Sequence, residues 1–305
     1  MRHIPLGLSG LQIPVVAIGC MRINCVDKAT AESVLKKALD MGAYFFDHAD
    51  VYGDGACEEI FADIMSKSSV REKLLLQTKC GIRRGVAFDF SKEHILRSVD
   101  ESLKRLKTDR IEVLLLHRPD ALAEPEEIAA AFDALHNSGK VLHFGVSNQN
   151  PMQIQLLKKF VKQPIVANQL QLSLTNANMI KQGLHVNMLD EGAVDRDGGV
   201  LDFCRLNDIT IQPWSPFQYG FFEGVFLDNP KFTKLNEEIN VIANQYSVSN
   251  TTIAMAWLLR HPAKMQPVTG TMNPKRIADC IKAAEIALTK EEWYKLYIAA
   301  GNKLP

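Results

Sequence analysis

The stretch VVAIGCMRINCVDKATAESVLKKALDMGAYFFD, residues 15 to 47, reads as a strand, a helix and a second strand. VVAIG at 15 to 19 is a short run of apolar and β-branched residues, as a parallel strand covered on both faces requires. Val34, Leu35, Ala38 and Leu39 then recur on one helical face, and Gly42 stands where a left-handed C-terminal stop is wanted. AYFFD at 43 to 47 is the second strand. Such a unit builds either a closed barrel or an open, doubly wound sheet. No G-x-G-x-x-G follows the first strand, so the phosphate-binding turn of an open dinucleotide fold is missing from its place.

Six more runs follow: LLLQTK at 74 to 79, VLLLH at 113 to 117, VLHFGVS at 141 to 147, IVANQLQ at 165 to 171, ITIQPWS at 209 to 215 and MQPVTG at 265 to 270. Helical patterns lie between them. In residues 92 to 107, Ile95, Val99, Leu103 and Leu106 share a face and Ser91 supplies the N-cap. Another opens at Pro125 and closes at Gly139 around Ile128, Phe132 and Leu135. Eight strands alternating with helices predict a (β/α)8 TIM barrel spanning residues 1 to 305 as a single domain. HIPL and LQIPVV, joined across GLSG at 7 to 10, predict an N-terminal β-hairpin. Thr289, opening TKEEW as a capping box, predicts an extra C-terminal helix, while 172 to 199 reads as a long loop after the sixth strand.

Composition narrows the function. Of the 305 residues, 47% are hydrophobic and 23% charged, and 35 basic side chains balance 35 acidic ones. No net field recruits nucleic acid or an anionic membrane, so a small-molecule ligand is expected. Pro5, Gly7, Gly10 and Pro14 break the N-terminal apolar stretch before it reaches signal or membrane length. The six cysteines form no C-x-x-C pair, which predicts reduced thiols and a soluble, cytoplasmic protein.

In a parallel barrel the chemistry gathers where the strands end. Asp47 ends the second strand and Tyr52 follows it in FDHADVYG; Lys79 ends the third in QTKCG; His117 ends the fourth in LLLHRPD. A phenol is a weak acid at neutral pH, with an unperturbed pKa of about 10. A Lys79 ammonium about 4 Å from the Tyr52 oxygen would favour the phenolate by roughly 4 kcal/mol at an effective dielectric near 20, or about three pKa units at most. Asp47 would keep Lys79 charged, and His117 would bind and orient a carbonyl oxygen.

In order and spacing these four resemble the Asp, Tyr, Lys and His tetrad of the aldo/keto reductases, and DHAD, KCG and HRPD look most like the bacterial oxidoreductase branch of that superfamily. The resemblance extends through RHIPLGLSGLQIPVVAIGCMR, HFGVSN, ANQLQLSL and GTMNPKRI, and so runs along the chain. It implies a reductase that uses NADP(H) and a carbonyl substrate, with Tyr52 as general acid. By the same resemblance Ser147, Asn148 and Gln169 meet the nicotinamide carboxamide, and Trp214 stacks on the ring where many relatives carry a Tyr. Ser215 and Phe217 follow the pyrophosphate, with Met21 beside the cofactor. Gly270, Thr271 and Asn273 approach the phosphates, and Arg276 takes the adenosine 2′-phosphate. Asn273 and Cys280 depart from the family, which often has a basic residue and an Asn there. The pocket walls are expected from Met21, Arg22 and Ile23, from 172 to 199, and from the Phe217 to Phe226 loop with Tyr219, Phe221 and Phe222. Two other readings stand beside this one: a barrel that binds NADP(H) as a sensor with little turnover, and a metal-dependent hydrolase using His48, Asp50 and His117.

Overall fold

The computed structural model describes residues 1–65 and 71–305. Eight parallel strands close into a barrel in chain order. They are β1 (Ala17–Gly19), β2 (Phe45–Asp47), β3 (Leu75–Cys80), β4 (Ile111–Leu116), β5 (Val141–Ser147), β6 (Ile165–Gln171), β7 (Thr210–Trp214) and β8 (Val268–Thr269). β8 pairs back onto β1, with Val268 opposite Ala17, so no edge is left open. Packing within the sheet is tight at Gly145 of β5. A Cβ there would lie 2.6 Å from Leu115 Cδ2 and 2.7 Å from the Ala167 carbonyl oxygen, which excludes any side chain.

The helices around it include α1 (Lys28–Asp40), α2 (Ala56–Met65), α3 (Lys92–Leu106), α4 (Pro125–Asn137) and α5 (Pro151–Lys158). The expected signals operate: Ser91 accepts the His94 N–H at the start of α3, and Gly42 beyond α1 has φ +81°. After β6 come α6 (Asn178–Leu184) and α7 (Val200–Leu206); after β7, α8 (Thr233–Tyr246) and α9 (Asn250–Arg260); after β8, α10 (Pro274–Lys282). The C-terminal helix α11 (Lys290–Ala299) opens with the Thr289–Glu292 capping box. It docks through Trp293, which stacks on Trp257 of α9 with ring centres 4.9 Å apart. Each indole N–H donates to the other residue's carbonyl. At the opposite end of the chain His3–Pro5 pairs with Gln12–Pro14 as the hairpin.

Side chains alternate along β3. Thr78 faces outward and donates to the buried Glu58 of α2, which also pairs with Arg105 of α3 at 2.8 Å. Gln77 and Lys79 face the barrel axis. Gln77 hydrogen-bonds Gln212 of β7, Gln212 donates to Gln266, and Gln266 donates to the Pro14 carbonyl. A layer of amides therefore crosses the barrel beneath the strand ends. All are buried and paired, so their polarity is satisfied.

Segment 172 to 199 differs from the expected loop. It contains α6 and a 3-10 turn at Glu191–Ala193, with Met179 and Ile180 buried. Its His185 bridges Asp190 and the Lys303 carbonyl, so the segment is tied to the C-terminal tail. Among the described residues no helix is long and apolar enough to cross a membrane.

Candidate active site

A cleft of about 930 Å³ opens at the C-terminal ends of the strands. β2 delivers Asp47, buried to 2% exposure. The chain then turns through a short 3-10 helix, Tyr52–Gly55, in which Gly53 has φ +57° and presses against Asn24, where a Cβ would lie 2.6 Å from its amide nitrogen. That turn sets Tyr52 at the cleft wall, half-buried. Lys79 of β3 is wholly buried beneath it. Its Nζ donates to the Asp47 carboxylate at 2.8 Å, to the His48 carbonyl at 2.7 Å and to the Tyr52 hydroxyl oxygen at 3.3 Å. Three ammonium protons meet three acceptors, which fixes the side chain. Asp47 also accepts from Gln77 at 2.6 Å and from Gln169 at 3.0 Å.

Electrostatics follow from this packing. Burial alone would pull the Lys79 ammonium down, but the Asp47 carboxylate and the Tyr52 oxygen outweigh it and hold Lys79 above its ordinary value. For Tyr52 burial is the largest influence and raises the phenol, Lys79 pulls it down, and Asp47 pushes it up again. The net direction is upward. Lys79 therefore stabilises the phenolate as the sequence implies, yet the resting phenol keeps its proton because burial outweighs that attraction. His117, directly after β4, lies edge-on to Tyr52 with ring centres 5.8 Å apart. Burial, Lys79 and Arg118 hold it well below its ordinary value, so its imidazole is neutral, and its buried Nδ1 has no partner.

Two strand ends turn left-handed at non-glycine residues: Asn148 (φ +58°) after β5 and Ser215 (φ +53°) after β7. Such conformations persist only when the surroundings enforce them. Here they bring both residues to the cleft, where Asn148 Nδ2 donates to Ser147 Oγ and Trp214 Nε1 donates to Asn148 Oδ1. Ser147 Oγ in turn donates to the Gln169 carbonyl. Met21, Phe217, Gly270, Thr271 and Arg276 line the cleft as well. Asn273 does not, because its side-chain oxygen caps α10 by accepting the Lys275 and Arg276 N–H groups. Of the expected pocket walls Met21 and Arg22 are present, whereas Ile23 is buried in the core and 172 to 199 does not reach the cleft. Phe221 and Phe222 pack on Trp214, Phe222 stacked at 5.8 Å; Tyr219 packs on Phe232 instead.

Sequence reading missed Arg118, Arg84 and Phe88, all in the cleft wall. The last two belong to the turn and second strand of a small ribbon, Ile82–Arg83 with Ala87–Phe88, that overhangs it. The metal-hydrolase reading does not hold together in space. His48 packs edge-on against Phe61 of α2 at 4.5 Å, whereas His117 lies against Tyr52 in the cleft. Among the described residues no three His, Cys, Asp or Glu side chains are grouped to hold a metal ion.

A buried Asp–Lys pair touching a phenol at the mouth of a parallel barrel is an arrangement able to give or take a proton at a bound ligand. The sequence profile described as "Aldo/keto reductase family" matches residues 15–299, and the chain belongs to that family of oxidoreductases. It is 35% identical to the uncharacterized oxidoreductase YcsN of Bacillus subtilis (strain 168) over 97% of each chain. It is 31% identical to a 6-dehydroglucose reductase of Novosphingobium aromaticivorans, covering 98% of this chain and 96% of that one. Among solved structures it is similar to the thermostable aldo-keto reductase Tm1743 in complex with the inhibitor epalrestat, with a TM-score of 0.77 and 26% identity over 98% of this chain and 100% of that one.

Proposed function

We propose that this chain is an NADP(H)-dependent carbonyl reductase that converts small aldehydes or ketones to alcohols, with Tyr52 as general acid. The observation that carries the reading is the Lys79 Nζ to Tyr52 oxygen distance of 3.3 Å, with Asp47 holding the ammonium from the other side. A fully buried lysine whose acceptors are a carboxylate, a carbonyl and one phenol has few uses besides governing the proton of that phenol.

The cleft fits a nicotinamide dinucleotide phosphate. Arg276 lines it at an exposed position, where its guanidinium is free to meet a 2′-phosphate. Gly270 and Thr271 line the same cleft just after β8, where backbone can approach the phosphates. Trp214, with Phe222 stacked on it, brings an indole to the cleft, and Ser147, Asn148 and Gln169 bring amide and hydroxyl groups to the same wall. When bound, the reduced cofactor supplies a hydride to the carbonyl carbon. Neutral His117 binds the carbonyl oxygen and orients the substrate. Tyr52 gives that oxygen its proton, and the phenolate left behind is stabilised by Lys79. Asp47 keeps Lys79 charged throughout, and its bonds from Gln77 and Gln169 hold it still. The free cysteines and the neutral charge balance support a cytoplasmic enzyme acting on small molecules. NADPH consumption with a panel of aldehydes, quinones and dicarbonyls tests the proposal. Tight NADPH binding with turnover of none would assign the chain to sensing instead.

A further inference from the structure

Five charged side chains line the cleft: Asp47, Arg22, Arg84, Arg118 and Arg276. Asp47 is neutralised by Lys79. Arg84 pairs with Asp54 at 3.1 Å and donates to the Val51 carbonyl at 2.9 Å. Arg22 donates to the Gly270 carbonyl at 3.3 Å. Arg276 is taken up by the cofactor reading. Arg118 is left over: among the described residues its guanidinium makes no hydrogen bond and no ion pair, although it is half-buried.

Its surroundings hold it in place without satisfying it. The guanidinium lies over Trp214 at 5.6 Å and over Phe221 at 5.7 Å. Two aromatic faces restrain the plane of the group through cation–π attraction, yet none of its N–H donors is answered. Arg118 directly follows His117 and lines the same cleft as His117 and Tyr52, so it stands beside the reacting atoms. A half-buried donor fork that faces the cleft with no protein acceptor is open to a ligand that completes it.

We propose that Arg118 is a specificity residue and that the natural substrate is a carbonyl compound bearing a carboxylate, which pairs with the Arg118 fork while its carbonyl oxygen meets Tyr52 and His117. This rests on the reductase reading and names its substrate class. A single planar fork between two rings suits a planar monoanion; a phosphate dianion would call for a second free cation, and Arg22 and Arg84 are engaged elsewhere. Trp214, Phe221 and Phe222 supply the apolar wall for the carbon skeleton between the two ends.

The test compares two aldehydes of matched shape, 4-formylbenzoate and its neutral amide 4-formylbenzamide, on wild type, Arg118→Gln and Arg118→Lys. A charge-assisted pair predicts that wild type favours the acid in kcat/KM by about ten- to hundredfold, expressed in KM. Arg118→Gln should erase that ratio, and Arg118→Lys should keep part of it, since the charge remains but the fork is lost. Binding gives a readout independent of turnover: 4-(hydroxymethyl)benzoate and 4-(hydroxymethyl)benzamide are titrated calorimetrically into the complex with NADPH, a pair with no hydride acceptor. The acid should bind more tightly to wild type and lose that advantage in Arg118→Gln. Equal preference for acid and amide in wild type overturns the proposal. So does a ratio that survives Arg118→Gln, or an Arg118→Gln variant whose main defect is weakened NADPH binding. If neither aldehyde is reduced but the acid still binds through Arg118, the reductase reading fails while the carboxylate site stands.

Discussion

Replacing Lys79 by methionine removes one charge from a site where three partners depend on it. The ammonium lies 3.3 Å from the Tyr52 oxygen. At an effective dielectric near 20 that charge favours the phenolate by about 5 kcal/mol, or roughly three to four pKa units. Alcohol oxidation needs the phenolate as base, so at fixed pH it should fall about tenfold for each unit, and a loss of at least a hundredfold is expected in Lys79→Met. The same change strands Asp47, buried at 2% exposure with, among the described residues, the side-chain amides of Gln77 and Gln169 as its remaining donors. Breaking a buried pair by removing one partner destabilises by about 3 to 5 kcal/mol, whereas removing both members costs far less. Asp47→Asn combined with Lys79→Met should therefore regain most of the stability in urea melts. Its oxidation rate should lie between Lys79→Met and wild type, because the carboxylate that also disfavours the phenolate is gone. Steady-state oxidation and urea unfolding of the three proteins decide the matter. A Lys79→Met enzyme within tenfold of wild type, or a double variant less stable than Lys79→Met, would refute the linkage between pair, phenol and fold.

The pH dependence should differ in the two directions. Burial raises the Tyr52 phenol, so carbonyl reduction, which uses the protonated form, should stay flat from about pH 6.5 to about 9 and decline only beyond; oxidation should rise over that range. His117 is held well below its ordinary value and should add no limb near neutrality, so a reduction profile that bends near pH 6.5 contradicts its neutral state. NADPH should quench tryptophan fluorescence through Trp214, since Trp257 and Trp293 are buried against each other; a quench that persists in Trp214→Phe removes the stacking assignment. Arg276→Ala should weaken NADPH about ten- to two-hundredfold and leave NADH nearly unchanged, the effect shrinking as salt rises. Asn273→Lys should widen the preference for NADPH, at a loss of about 1 kcal/mol of stability because Asn273 caps α10. Equal weakening of both cofactors by Arg276→Ala would take the 2′-phosphate away from this segment.

The barrel was legible because its two periods are clean. Strands such as VLLLH and IVANQLQ are short and apolar enough to be covered on both faces, and the helices between them keep a single stripe and carry their own caps. That Asp47, Tyr52, Lys79 and His117 meet was legible for a related reason: a polar residue ending an apolar run is placed at the barrel mouth by the fold itself. What the sequence hid depends on partners far along the chain. Gln77, Gln212 and Gln266 look like interruptions of apolar runs, and only closure of the barrel shows that they satisfy one another. Arg118 stands next to His117 in HRPD, yet nothing local says that its guanidinium goes unanswered. The upward shift of Tyr52 was hidden for the same cause, since burial is a property of the assembled site. α6 escaped notice because seven residues with Gly183 inside them carry too little periodicity, and its support comes from the C-terminal tail through His185 and Lys303.

On the proposed function, Tyr52 delivers the proton that completes carbonyl reduction. Tyr52→Phe removes one oxygen from a ring that otherwise keeps its edge-on contact with His117. General acid catalysis contributes about 10²- to 10⁴-fold, so turnover with NADPH and an aldehyde should fall at least a hundredfold while the dissociation constant for NADPH stays within about twofold. A Tyr52→Phe enzyme that keeps more than a tenth of wild-type turnover would show that the proton comes from elsewhere.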